Sequence, residues 1–504
     1  MDFLDTNYER RSRLTLLTGY CLVTVAIVGA ALVLLYQAYG YTLNRQGQVT
    51  QSGLVFVSSQ PSGSSIYLNG QPYQSQTNAR VTIPAGPYNM EITRPGYRNW
   101  ERPIYVAGGD VQHFDYPLLI PSTLKPTPLS NLSDTPTLVT QSSNHRWLLL
   151  DRPDTPGSFT LWDLNNAKQP VSSVITLPAD TLTASDSTEG WALEEWASDN
   201  RHVVLVHTYT NKGTTDHEYI LLDTQSPNDS INLTYGLNLS QSQVLSLFDN
   251  RTAQAYVYTP EDESLERVNI SDGSVVSKLS HVVAYKTYAD KEILYVTDQP
   301  PNGKITPGQV SVVLQDGQQS YTLRTLPAGA PSYDLNLAQY SGDWYVVVAA
   351  SNDSSVYVYK DPQSQTVTSP DAYPAPWRRM TVNDPTYVAF SSNTQFLLAE
   401  GGQKFDVYDL ENVDQYVYAT QSPIDQPQTH ATWMDGDRLM YVSDGKLVIF
   451  DYDDRNTQTL MPASAANTPV FDVAYTHAYA VVPNDKNVDE SILTTTPLLT
   501  PADQ

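Results

Sequence analysis

Thr432-Trp433-Met434-Asp435-Gly436-Asp437 leads into Leu439-Met440-Tyr441-Val442 and then into Lys446-Leu447-Val448-Ile449-Phe450-Asp451. An aromatic opens the stretch, a polar turn follows, and a second turn splits two short apolar runs. The last run stops on an acid. The same order returns in Glu195-Trp196-Ala197-Ser198-Asp199-Asn200-Arg201, His202-Val203-Val204-Leu205-Val206 and Tyr219-Ile220-Leu221-Leu222-Asp223. It returns again in Tyr387-Val388-Ala389-Phe390-Ser391-Ser392-Asn393, Phe396-Leu397-Leu398-Ala399 and Phe405-Asp406-Val407-Tyr408-Asp409. Weaker copies begin near Ser143, Leu247, Tyr285, Tyr333 and Phe471, the first ending in Leu161-Trp162-Asp163.

Apolar runs this short, bounded by Asp, Asn, Ser and Gly, read as strands rather than helices. A loose unit of roughly 40 to 55 residues is the period of propeller blades. The expectation is an all-β ring over 138–497 with seven or eight blades, eight being favoured. Its aromatic residues would fill the space between blades, because radial four-stranded sheets bury both faces against their neighbours. Phe471 to Val482, with Ile492-Leu493 beyond, would close the ring near Leu148 to Leu150. The turn from Trp433 to Gly436 and the apolar strand after it resemble propellers of the WD-like and Tol-associated kind. That resemblance implies architecture, not a function.

Upstream lies a smaller β unit. Its strand candidates are Leu54 to Val57, Ser65 to Leu68, Arg80 to Ile83, Tyr88 to Thr93, Arg102 to Val106 and Val111 to Tyr116. Turn signals separate them at Pro61-Ser62-Gly63, Asn69-Gly70, Pro84-Ala85-Gly86-Pro87 and Pro95-Gly96-Tyr97. On Ser59-Gln60-Pro61-Ser62-Gly63, Leu68-Asn69-Gly70, Ile83-Pro84-Ala85-Gly86 and Arg94-Pro95-Gly96-Tyr97, residues 54–119 resemble a PEGA domain. Ala85 and Pro87 depart from the tetrapeptide that names the family. The resemblance implies a small β-sandwich of microbial surface proteins, a spacer or adhesion module without catalytic residues. Residues 120–137, rich in Pro, Ser and Thr, read as a semi-stiff linker, and 498–504 as a tail.

The N-terminal region sets the compartment. Residues 14–36 are uncharged and mostly apolar, about 23 residues, enough to cross roughly 30 Å of hydrocarbon as a helix. Arg10, Arg11 and Arg13 precede the run, and Arg45 is the first basic residue after it. The positive-inside rule then keeps 1–13 in the cytoplasm and exports the bulk, with 37–53 as a juxtamembrane linker. Tyr36, Tyr39 and Tyr41 suit an interfacial aromatic belt. A cleaved signal peptide is the rival reading. It normally has a shorter core and a small-x-small site, against Tyr36-Gln37-Ala38-Tyr39 here. Cys21 follows Tyr20 in mid-span, which excludes a lipoprotein attachment site.

Lys and Arg total 29 against 54 Asp and Glu, a formal charge of -25, so the surface repels nucleic acid. With Cys21 the single cysteine, neither an intramolecular disulfide nor a Cys-ligated metal site can form within one chain. The chain has 34 Tyr against 10 Phe, and most of the tyrosines, as in Tyr256-Val257-Tyr258 and Tyr357-Val358-Tyr359, fall at alternating strand positions and read as core.

Chemistry-bearing patterns are sparse. Gly-x-Ser-x-Gly and P-loop motifs are absent from the sequence. His217-Glu218 opens like a zinc-protease helix without its second His. His202, His207 and His217 sit where a hairpin would bring them together, but exposed hairpin histidines are the simpler reading. Asp485-Lys486-Asn487-Val488-Asp489-Glu490 opens like a calcium loop but lacks the turn Gly and the Glu at position twelve. Glu261-Asp262-Glu263 and the Asp451 to Asp454 group read as solvated turns.

No catalytic, metal or cofactor residues are therefore assigned, and the expectation is a non-enzymatic, membrane-anchored extracytoplasmic binding protein. Its propeller would bind a protein, envelope polymer or host-surface glycan, through a loop-bearing rim or over the central channel, with the small module as spacer. An envelope-assembly scaffold is the alternative, and a propeller enzyme a third reading.

Overall fold

The computed structural model describes residues 6–38, 41–43, 49–187, 189–301, 303, 305–365, 372–484 and 487–503. The chain divides into two compact units, one of Met1–Thr123 with Leu499–Gln504, the other of Leu124–Leu498.

The first unit begins with the helix Thr6–Ala38. Within it Thr15–Tyr36 has a mean hydropathy of 2.3 and is long and apolar enough to cross a membrane. Two four-stranded sheets follow. One joins Tyr41–Leu43, Val49–Val57 and Ala79–Pro84, with Val111–Phe114 parallel to Val49–Val57. The other orders Gln71–Gln76, Ser65–Leu68, Gly86–Thr93 and Trp100–Val106. Val55, Val57, Val81 and Ile83 of the first sheet pack with Ile66, Met90, Ile92, Trp100 and Ile104 of the second. Alternation produces this. Trp100–Val106 is buried at every second residue, which places Trp100, Arg102, Ile104 and Val106 inward. Gln71–Gln76 is an exposed polar edge strand that apolar patterning does not announce.

The second unit is a succession of antiparallel meanders. Among the described residues its strands form eight four-stranded sheets in chain order. The second runs Gly190–Trp196, His202–Asn211, Thr214–Asp223 and Ile231–Asn232. The sixth runs Tyr387–Phe390, Phe396–Gly401, Lys404–Asp409 and Asp414–Ala419. The seventh runs Thr432–Trp433, Arg438–Ser443, Lys446–Asp451 and Gln458–Pro462. The eighth is completed by the start of the unit, since Asn487–Pro497 pairs with Thr127–Leu132. Residues 127–132, expected as linker, are thus a strand.

Period-two alternation closes the ring. Val203 and Leu205 pack with Leu149 and Phe159 of the first sheet, whereas Val204 and Leu221 pack with Leu245 and Val257 of the third. Adjacent residues of one strand serve opposite neighbours, so each strand is apolar on both faces and reads as a continuous run. Similar cores join sheets three to four, four to five and five to six. Phe396 stacks on Trp433 between the sixth and seventh, and the Tyr475 hydroxyl donates to Met434 O at 3.1 Å between the seventh and eighth. Leu148 and Leu150 meet Tyr479, Val481 and Leu493, which joins eighth to first. A ring of shared cores closed by the first strand is a β-propeller.

The recurring polar turns also acquire a cause. In the turn after a sheet's first strand, a side-chain oxygen accepts backbone amides. Asp199 Oδ1 accepts from Arg201 N and His202 N at 2.9 and 3.0 Å. Asp435 Oδ1 accepts from Asp437 N and Arg438 N at 2.8 Å each. Gly436 is glycine for space, because a Cβ there would meet Asn393 Nδ2 of the preceding sheet at 2.6 Å.

The acid that ends the third strand is held by the residue just before the second. Arg146 forks onto Asp163 at 3.0 and 2.6 Å, Arg201 forks onto Asp223, and Gln395 reaches Asp409 at 3.3 Å. Burial alone would raise Asp223, yet the Arg201 fork and the Ser226 and Gln225 amides hold it down at about 2. Its contribution is therefore present above the ordinary carboxylate range and lost as pH falls through about 2. Asp223→Asn is expected to lower the melting temperature at pH 7 and to leave it unchanged near pH 2, as differential scanning calorimetry would read.

Candidate functional groove and the buried polar clusters

In a four-stranded meander, turns between strands two and three and links to the next sheet lie at one end. The turns between strands one and two, and between three and four, lie at the other. On the first of these faces a groove of ≈ 590 Å³ opens between the seventh and eighth sheets. Asp425, Gln426, Gly445, Pro462, Ala465 and Pro483 are among its lining residues. Local geometry fixes its walls. Asp425 Oδ2 accepts Gly445 N at 2.8 Å, Asp425 N donates to Val442 O at 2.8 Å, and Ala463 N donates to Gly445 O at 2.9 Å. Gly445 has φ +63°, a turn conformation open to glycine. Small residues and proline rings leave an apolar floor with one carboxylate whose Oδ2 is already engaged. Such a concave, mostly apolar surface has the shape and chemistry of a docking groove.

His202, His207 and His217 are not brought together. His202 starts its strand and bonds Asp199 at 2.6 Å, five residues from His207, which at strand rise is roughly 16 Å. His217 N is held by Gln241 Oε1 at 2.8 Å. His207 is fully buried rather than exposed, a correction to the hairpin reading. Its Nδ1 lies 2.9 Å from Glu218 and its Nε2 3.2 Å from Glu189, and the ring stacks on Trp191 at 4.5 Å. Glu218 also accepts from Thr183 N at 2.9 Å, Thr183 Oγ1 at 2.8 Å and Asn232 Nδ2 at 2.8 Å. Burial pushes its carboxyl upward, but these bonds, that of His207 foremost, outweigh it and hold the pKa below the usual value.

The acidic turns also differ from expectation. Asp451 is 2% exposed, and the Asp453 side chain, 3% exposed, pairs with Arg455 at 3.1 Å, so this group is structural rather than solvated. Glu263 of the Glu261-Asp262-Glu263 run shares a site with His281 and Asp298, one ligand atom from each lying within 4.8 Å of the others. The His281 and Asp298 side chains are about half exposed and 3.5 Å apart, the geometry of a surface ion pair. Asp485 and Lys486, which open the calcium-like run, fall outside the described residues.

Three acids with strongly raised pKa values stand among different neighbours. Burial, then repulsion from Glu195, pushes Glu194 up to about 7. Burial, then Asp435, does the same to Asp437, at about 7. Burial pushes Glu400 up to about 8, against the pull of the Ala431 amide. Dispersed in this way, they do not form an acid–base pair. Tyr256, Tyr357 and Tyr359 are 5%, 9% and 1% exposed, so these tyrosines pack the core.

Residues 52–120 match the sequence profile of the PEGA domain. They are a PEGA domain. The match covers the two sheets described above except Tyr41–Leu43 and the start of Val49–Val57, and the PEGA domain here keeps its Pro-Gly-Tyr closing turn at Pro95-Gly96-Tyr97. No curated protein matches the chain in sequence. Among solved structures, similar folds include the dihydro-heme d1 dehydrogenase NirN in complex with DHE, at 12% identity, TM-score 0.39, and 65% of this chain over 66% of that one. Hsv2 of Kluyveromyces lactis is 10% identical with TM-score 0.38, 74% of this chain aligning to 100% of that one. The Cps50 (Swd1) β-propeller domain of Myceliophteria thermophila is 8% identical with TM-score 0.35, 64% of this chain aligning to 100% of that one. The propeller assignment itself rests on this chain's strand order and ring of shared cores.

Proposed function

We propose that the chain is a non-enzymatic, membrane-anchored binding protein whose bulk lies outside the cytoplasm. The propeller is its binding head and the PEGA domain its spacer. The observation that carries the reading is the groove between the seventh and eighth sheets, preformed on the face of the inter-sheet links and lined by small and proline residues. The apolar helix Thr15–Tyr36 and its flanking arginines support an anchor with a cytoplasmic N-terminus. A formal charge of -25 favours neutral or basic partners over nucleic acid.

A photo-crosslinking residue at Ala465, on intact cells, is the test. The control carries the same residue at Ser271, exposed in the third sheet's turn between strands three and four, on the opposite face. The expected result is a discrete adduct from Ala465 alone, lost when Pro462→Trp fills the groove while the melting temperature is kept. Equal adducts from both positions would overturn the groove as the binding face.

A further inference from the structure

The tail does not hang free. The Asp503 side chain is 9% exposed, and its carboxylate collects donors from both sides. Arg94 forks onto it, with Nε at 3.2 Å and Nη2 on the second oxygen. The Tyr97 hydroxyl donates to Oδ2 at 2.9 Å, and Thr500 Oγ1 donates to the same oxygen at 2.8 Å. Tyr97 Oη in turn accepts Thr500 N at 2.8 Å. The receiving side is fixed by the PEGA domain itself, because Arg94 Nη1 is anchored on Ser62 O at 2.9 Å and Gly63 O at 3.2 Å. Gly96 has φ +86°, and a Cβ there would come within 3.4 Å of Thr500 Cγ2. A fork pre-aimed by two carbonyls, a phenol that both donates and accepts, and a glycine that lets a neighbour approach make a carboxylate-binding site.

We propose that Arg94, Gly96 and Tyr97 of the PEGA domain form a recognition site for an acidic peptide turn, and that its ligand is the chain's own segment Thr500 to Asp503. The consequence lies in the ring closure. The closing strands run antiparallel, with Thr127 opposite Thr495. From that pair the chain leads back to Thr123 on one strand and on to Leu499 on the other, and both positions adjoin the first unit. One closing strand is joined to the PEGA domain by the polypeptide, the other by the seated tail. A pull on the N-terminal segment then loads both strands, whereas with the tail released it loads Thr127–Leu132 alone and peels that strand one ladder bond at a time.

Hydrogen exchange of the full chain in detergent, read by mass spectrometry on peptides covering 499–504, tests this. The amides of Thr500 and Asp503, bonded to Tyr97 Oη and Thr500 O, are expected to exchange at least about tenfold more slowly than in the free peptide. Arg94→Ala and Asp503→Asn should abolish the protection and leave residues 477–497 unchanged. Asp503→Asn alters the tail alone, so a misfolded PEGA domain cannot imitate its result. Free-peptide exchange in the wild type, or undiminished protection in Asp503→Asn, would overturn the site.

Discussion

Glu218→Ala should destabilise the propeller unit by about 3–5 kcal/mol at pH 7, because it removes the acceptor shared by several buried donors, each costing roughly 1–3 kcal/mol when left unpaired. The side chain does more than hold His207. It accepts Thr183 N, Thr183 Oγ1 and Asn232 Nδ2, so the substitution removes an acceptor from four donors, of which Asn232 Nδ2 keeps Thr181 O, in a site where His207 has no exposed surface. Donors buried without partners pay their full desolvation cost. The sign of the pH dependence follows from the lowered pKa of Glu218. A depressed carboxylate stabilises the fold above its unfolded pKa, near 4.3, and loses that contribution as pH falls through the folded value. The gap between wild type and variant should therefore be widest at neutral pH and shrink below about pH 4. Urea unfolding at pH 7 and pH 3.5 measures both. A loss under about 1 kcal/mol at pH 7 would mean that Glu189 alone suffices to hold His207.

This cluster also shows why the sequence spoke unevenly. The repeated acid at the end of the third strand is legible because one device recurs at the same ladder position: the fork comes from Arg146 or Arg201, next to the residue paired with the acid. The central strands were visible because burial on both faces makes them continuously apolar. His207 reads as exposed in the sequence because its burial depends on register. It stands opposite Glu218 across a ten-residue hairpin, and Glu189 arrives from the link before the sheet. The closing strand Thr127–Leu132 reads as linker because it is an edge strand. It pairs on one side only, so Pro128 is tolerated and few apolar residues are needed. The tail was opaque for another reason, since its partner Arg94 lies 409 residues away and no local pattern encodes such a contact. The groove suffers from the same limit, being assembled from four separated segments with no shared motif.

The opposite sign is expected at Glu400, where the acid costs stability. Glu400 has no exposed surface. Its Oε2 accepts Ala431 N at 3.0 Å, while Oε1 has no hydrogen-bond partner among the described residues. It faces Tyr387 across the ladder, and Tyr387, itself pushed up to about 12 by burial, is stacked on His430 at 3.8 Å. Among the described residues no cation is placed to offset ionisation, and burial lowers the His430 pKa, so the imidazole does not become one at neutral pH. A carboxyl raised to about 8 is protonated in the fold when the unfolded chain has already ionised. Below the unfolded pKa nothing is lost. As pH climbs from there to about 8, the unfolded state gains stability and the folded state does not. Glu400→Gln copies the neutral acid, keeping an oxygen for the Ala431 amide, and removes the titration. It should be close to neutral at pH 4 and stabilising by on the order of 3–5 kcal/mol at pH 8. Melting curves across that range decide it, and a variant that gains nothing at pH 8 would show that the folded protein already carries Glu400 as a comfortable anion. A gain would mean that the wild type retains a buried acid at a direct cost to its stability.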